Sequence, residues 1–186
     1  REAWGVLNPA AARGPDGDLY LFPRLVAEGN YSRIGIARVQ FDAAGLPIGV
    51  ERLGIALEPL EPYELNPSTG GGVEDARITY VQPLNRYVMT YTAFGPRGPR
   101  IALATSADLQ RWDRLGLMRF APGAGSDLDT CPNKDASFFP DTVSDPHGRP
   151  ALAVLHRPTL PLRPAQSAVD ATHPAALDRD RIVDVE

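Results

Sequence analysis

Gly70-Gly71-Gly72-Val73-Glu74-Asp75-Ala76-Arg77 stands ahead of a strand-like run, Arg86-Tyr87-Val88-Met89-Thr90-Tyr91-Thr92. Three glycines free the backbone, and two carboxylates and a guanidinium then follow one another. Neighbouring side chains of a strand point to opposite faces. Regular alternation puts Asp75 and Arg77 on one face and Glu74 on the other. A carboxylate beside a guanidinium, entered through a flexible loop, is either a proton donor held in place or an ion pair at a sheet edge.

The same pattern recurs along the chain. Asn8 precedes Tyr20 by twelve residues, and Asp75 precedes Tyr87 by twelve. Arg33-Ile34-Gly35-Ile36-Ala37 matches Arg100-Ile101-Ala102-Leu103-Ala104, and a third copy opens at Lys134-Asp135-Ala136-Ser137-Phe138. Its second strand is expected over residues 150–157. Asn8, Asp75 and Asp135 thus hold like positions, 67 and 60 residues apart. Nineteen prolines and 17 glycines fall between short apolar runs, which suits strands joined by turns. Self-similarity at this period, with about four strands per unit, predicts an all-β β-propeller. The expected blades are 3–62, 70–120 and 130–160, within one partial domain over 1–186. Residues 161–186 read as an irregular tail or the start of a missing blade. Closing the ring takes about 4 to 8 blades, more than this length holds.

Composition narrows the function. A net charge of −4 lacks the basic excess of a nucleic-acid binder. No apolar run approaches the roughly 20 residues of a membrane span. The single cysteine, Cys131, excludes an internal disulfide framework, fits a reducing compartment and reads as structural. No signal-peptide pattern opens the chain, although it starts without Met. Walker, metal-ligand and Gly-x-Ser-x-Gly patterns are absent.

First strands of propeller blades line the channel, so Asn8, Asp75 and Asp135 are expected to converge. Lys134 is the only lysine beside 18 arginines. A compact ammonium retained in that background is a candidate ligand for an anion, with Asn133 and Asp135 placed to orient it. His156-Arg157 at a strand end offers a fork for phosphate. Arg24, Arg33 and Arg100 stand at matched strand ends. With Lys134 and Arg157 they are expected to form an electropositive pocket. His147 and His173 read as surface residues.

At these residues the chain resembles glycoside hydrolase family 130, the β-mannoside phosphorylases and related hydrolases. The resemblance rests on Gly72 to Thr79, Tyr87 to Ala93, Arg100 to Ser106, Asn133-Lys134-Asp135-Ala136 and His156-Arg157-Pro158, and covers about residues 5–160. It implies a five-bladed β-propeller, of which this chain covers the first half to three blades. It implies inverting phosphorolysis, in which inorganic phosphate attacks a terminal β-mannosyl unit and releases α-mannose 1-phosphate. Asp75 is then the general acid, its proton passing through a sugar hydroxyl, where ordinary glycosidases use two carboxylates. Asn8, Arg24, Arg33, Glu74, Arg77 and Asp135 are implied sugar-binding residues. Arg100, Lys134, His156 and Arg157 are implied phosphate-binding residues, since the anion needs cations beside the site's own acids. No cofactor is implied beyond phosphate as co-substrate. The implied partners are a β-mannoside oligosaccharide and phosphate, with no nucleic acid or membrane and a homo-oligomer left open. Phosphorolysis argues for the cytoplasm. A β-mannoside hydrolase and an inactive sugar-binding propeller fragment are the alternatives.

Overall fold

The computed structural model describes residues 2–66, 70–120 and 128–160, and the tail reading over 161–186 lies outside them. The described part is all-β. Four strands come first: β1 (Gly5–Arg13), β2 (Leu19–Ala27), β3 (Tyr31–Phe41) and β4 (Pro47–Leu57). Each pairs antiparallel with the next. A second antiparallel set follows: β5 (Gly71–Val81), β6 (Arg86–Gly95), β7 (Gly98–Ser106) and β8 (Asp113–Leu117). The sets are stitched by a two-residue parallel contact, Tyr31 with Gly71 and Ser32 with Gly72.

The third unit is a hairpin. Strand β9 (Asn133–Phe138) pairs with β12 (Val154–Pro158), and β10 (Val143–Ser144) pairs with β11 (Pro150–Ala151) nearer the turn. The single strand expected over 150–157 is therefore broken, and Ala153 accepts from the Phe139 amide in the gap. Pro140 has no N–H to extend the ladder on the facing side.

Turns follow the local chemistry. At Gly14-Pro15-Asp16-Gly17 the Gly17 amide donates to Gly14 and φ is 86° at Gly17. Tyr20 donates its hydroxyl to Asp16 Oδ2 at 2.6 Å. That bond, with burial, pushes the Tyr20 hydroxyl up to about 12.

The expected freedom of Gly70–Gly72 is replaced by tight packing. All three have positive φ, and a Cβ would collide with backbone at Gly29 and Asn30, at Phe94 and at Ser32 respectively. Gly70 and Gly72 let the two sets touch through their backbones, and Gly71 lets β5 close on β6.

Two apolar clusters sandwich the second unit. On one side Phe22, Ile34 and Ile36 meet Val73, Ala76, Met89 and Tyr91. On the other, Val81, Val88, Ile101 and Leu103 meet Ala136 and Phe138. Strand β6 is buried on both faces, which is why its sequence runs apolar without alternating.

Candidate active site

Asn8, Asp75 and Asp135 share one unusual conformation, with φ of 43°, 50° and 55°. Each opens a β-bulge. Asn8 and Pro9 fall between the Leu7–Arg24 and Ala10–Phe22 pairs, and Asp75 and Ala76 between Glu74–Thr92 and Arg77–Thr90. Asp135 and Ala136 fall between Lys134–Arg157 and Ser137–Leu155. Asn and Asp tolerate left-handed backbone better than other residues with a Cβ. A bulge also re-aims its side chain. Regular alternation therefore fails at Asp75. Glu74 and Asp75 do not point apart: both reach Arg24.

The first two units meet at this cluster. Asn8 donates Nδ2–H to Asp75 Oδ1 at 2.9 Å. Arg24 places one nitrogen 2.8 Å from Glu74 Oε1 and another 3.6 Å from Asp75 Oδ1. Its Nε donates to Ser32 Oγ at 2.9 Å, and Ser32 donates to Glu74 at 3.2 Å. Glu74 is buried. Burial, the main cause, and the neighbouring Asp75 raise its carboxyl above the ordinary range, against Arg24, Ser32 and Lys134. Lys134 thereby enters the field of this cluster from β9.

A raised carboxyl has a definite pH signature. Its stabilising contribution is complete below the ordinary value of 4.5 and is lost as pH rises through the raised folded-state value. Glu74→Gln is expected to match or exceed the wild-type melting temperature at pH 7, the difference fading toward pH 4. Scanning calorimetry across that range checks this; a variant much less stable at pH 7 would contradict it.

The third unit carries two further pairs. Arg157 donates Nε–H to Asp135 Oδ2 at 2.8 Å. His156 Nδ1 lies 3.2 Å from Asn133 Oδ1, and its ring is 4.9 Å from that of Phe120. Asn133 and Asp135 thus engage His156 and Arg157 rather than orienting Lys134 as expected.

The arginines do not form the open electropositive pocket expected of them. Arg33 pairs with Glu58 at 2.6 Å and lies over the Tyr31 ring at 5.0 Å. Arg100 donates to the Thr130 carbonyl at 2.6 Å and lines a cavity of about 650 Å³ with Arg97 and Arg119. Arg77 donates to the Ala76 carbonyl at 3.0 Å and lines a smaller cavity, about 300 Å³, with Asn8 and Ser137. Charges leaving water need partners, so each guanidinium has found one. Cys131 is half-buried and free, and His147 is exposed. His173 lies outside the described residues.

Sequence reasoning missed Ser32, buried within the cluster, and Glu64, buried behind it. Neither carries a motif. Glu64 accepts from Tyr91 at 2.6 Å, from Arg114 at 3.0 Å and from the Leu60 and Glu61 amides at 2.8 and 3.1 Å. Burial, the largest influence, raises its carboxyl, but these donors together hold it below the ordinary range.

A stretch of 89 residues, 46% of the chain, is 39% identical to a 1,2-β-oligomannan phosphorylase of Thermoanaerobacter sp. (strain X514), covering 24% of that protein. A structure from the GH130 family of mannoside phosphorylases, in work on hydrolases that target β-1,2 mannosidic linkages in Candida mannan, is 31% identical. It matches 72% of this chain and 37% of its own, with a TM-score of 0.54. The β-1,2-mannobiose phosphorylase of Listeria innocua, 19% identical with a TM-score of 0.53 over 87% of this chain and 61% of its own, shares the fold. No protein-family model matches the chain. The described part is an all-β fold shared with carbohydrate-active proteins. Over the part it shares with them, the chain is similar to members of glycoside hydrolase family 130. It spans about a quarter of the oligomannan phosphorylase and 37% of the second relative.

Proposed function

We propose that the chain is the acid-bearing part of a five-bladed β-propeller that phosphorolyses β-mannosides with inversion. The observation that carries this is Asp75, set on a left-handed bulge where Asn8 and Arg24 converge on it. Asp75 donates a proton, through a sugar hydroxyl, to the glycosidic oxygen. The bond from that oxygen to the anomeric carbon breaks as a phosphate oxygen bonds to the opposite face. The products are α-mannose 1-phosphate and a sugar whose new hydroxyl carries the proton. Asn8, Arg24, Arg33, Glu74, Arg77 and Asp135 serve the sugar, Glu74 through Arg24. Lys134, His156, Arg157 and Arg100 serve phosphate, which needs no carboxylate base to activate it. The reaction uses no cofactor beyond phosphate and runs in the cytoplasm.

The engagement of Arg157 by Asp135 favours a second reading, a β-mannoside hydrolase, because the phosphate fork is then occupied. One assay separates the two. The longest natural protein containing the chain is incubated with β-1,2- or β-1,4-mannobiose, with and without phosphate. Mannose 1-phosphate formed only with phosphate supports the phosphorylase; free mannose at equal rates in both supports the hydrolase. Absence of product in both favours a sugar-binding module. On the phosphorylase reading, Lys134→Ala is expected to raise KM for phosphate about tenfold or more, the worth of one charge-assisted bond, and to change KM for mannobiose little. Steady-state kinetics in both substrates checks this, and an unchanged phosphate KM would remove Lys134 from the site.

A further inference from the structure

Three buried side-chain polar atoms lack a hydrogen-bond partner among the described residues: Arg33 NH1, Thr92 Oγ1 and Asn133 Nδ2. Buried polar groups are nearly always bonded, so each exception needs a cause. Asn133 stands out because its two ends are treated differently. The residue is 1% exposed. Its Oδ1 lies 3.2 Å from His156 Nδ1. A carboxamide oxygen only accepts, so the His156 ring meets it through Nδ1–H, and the contact orients the imidazole. The amide nitrogen, with two hydrogens to give, meets no acceptor.

Its surroundings indicate which acceptor fits. Lys134 follows it in β9, and Pro158, next to Arg157, faces it across the ladder. In sequence and register Asn133 thus neighbours the residues proposed above for phosphate, and an orphan donor that shares the His156 ring with them is complementary to an oxygen-rich anion. The other donor-only orphan, Arg33 NH1, has the same polarity. Asn133 was read in the sequence only as a neighbour that orients Lys134, and the structure gives it His156 instead.

We infer that Asn133 is a binding residue for the anionic co-substrate, donating Nδ2–H to a phosphate oxygen while its Oδ1 holds the His156 ring. The inference rests on the phosphorylase reading and adds a residue to its phosphate site. It makes Asn133 a two-ended group that couples anion binding to the imidazole.

Asn133→Asp tests it. The substitution keeps an oxygen for His156 and replaces the donor by a second acceptor with negative charge. Inorganic phosphate is titrated into wild-type and variant protein, following melting temperature and heat of binding, neither of which needs turnover. Ligands that bind the native state raise its melting temperature. Wild type is expected to be stabilised by phosphate. Asn133→Asp is expected to weaken phosphate binding tenfold or more, leaving mannobiose affinity within about twofold. Asn133→Ala, which adds no charge, is the second variant and is expected to weaken phosphate binding less. Circular dichroism shows that both are folded. If both folded variants bind phosphate as wild type does, Nδ2 is satisfied by water alone and the inference is overturned. Equal losses for phosphate and mannobiose would also overturn it, since they indicate a structural role. No phosphate binding by wild type would instead remove the phosphorylase reading itself.

Discussion

Asp75→Asn is expected to slow mannobiose phosphorolysis by at least about 10²-fold, the low end for a general acid. The substitution isolates the proton. Asparagine has the size of aspartate and tolerates the left-handed backbone that Asp75 occupies at φ 50°. Its carboxamide oxygen still accepts from Asn8, which bonds Asp75 at 2.9 Å. Bulge and fold therefore persist, and the melting temperature stays close to wild type. Asp75→Ala is a poorer probe because it also strains the bulge. The loss is expected to shrink on a β-mannoside with an acidic leaving group, which departs without a proton. Turnover of both substrates at saturating phosphate, with calorimetry on the same samples, measures this. Near wild-type turnover of mannobiose would end the assignment.

Glu64→Ala is expected to destabilise the fold by about 3–5 kcal/mol, the cost of stranding the partners of a buried charge. Against the roughly 5–15 kcal/mol of a typical domain this is a large share. The truncation takes the acceptor from four donors: the Tyr91 hydroxyl, the Arg114 Nε–H and the Leu60 and Glu61 amides, while Arg114 keeps its bond to the Glu58 carbonyl. Tyr91 is the β6 residue opposite the Asp75–Ala76 bulge, so this hub is tied to the strand that pairs with the candidate acid. Burial above all, and then the bond to Glu64, raise the Tyr91 hydroxyl far beyond its ordinary range, so it stays a donor. Because Glu64 is held below its ordinary value of 4.5, its stabilisation is present above that pH and is lost as pH falls through the folded-state value. Glu64→Gln is expected to flatten that acid limb at a smaller cost, since it keeps one acceptor. Urea unfolding at pH 7 and pH 4 checks both variants; an Ala variant within about 1 kcal/mol of wild type would show that water satisfies the hub.

Much of the architecture is written in local pattern. Short apolar runs between Pro and Gly turns read as strands, and strands form there. The repeat that aligned Asn8, Asp75 and Asp135 has a backbone basis, since all three sit in the same left-handed bulge. Such a bulge needs Asn, Asp or Gly at each first position, so a conformational demand appears as a residue type at a fixed interval. The third unit was less legible. Pro140 and a turn near Asp145 break its strands in ways that periodicity does not register.

By itself, then, the sequence determined strand content, the repeat, the residue types at the bulges and the family these resemble, because such features lie in local runs of residues. Which charge meets which was decided by the tertiary structure. Alternation put Glu74 opposite Asp75, yet the bulge turns both toward Arg24. The glycines that looked like slack are where the two strand sets touch and β5 closes on β6. Four arginines that looked like one basic surface are divided among separate partners, and a silent glutamate, Glu64, became a hub. Desolvation is the common reason. A charge carried into a sheet must find compensation wherever the fold supplies it, at separations such as the 50 residues between Glu64 and Arg114 that no local pattern encodes.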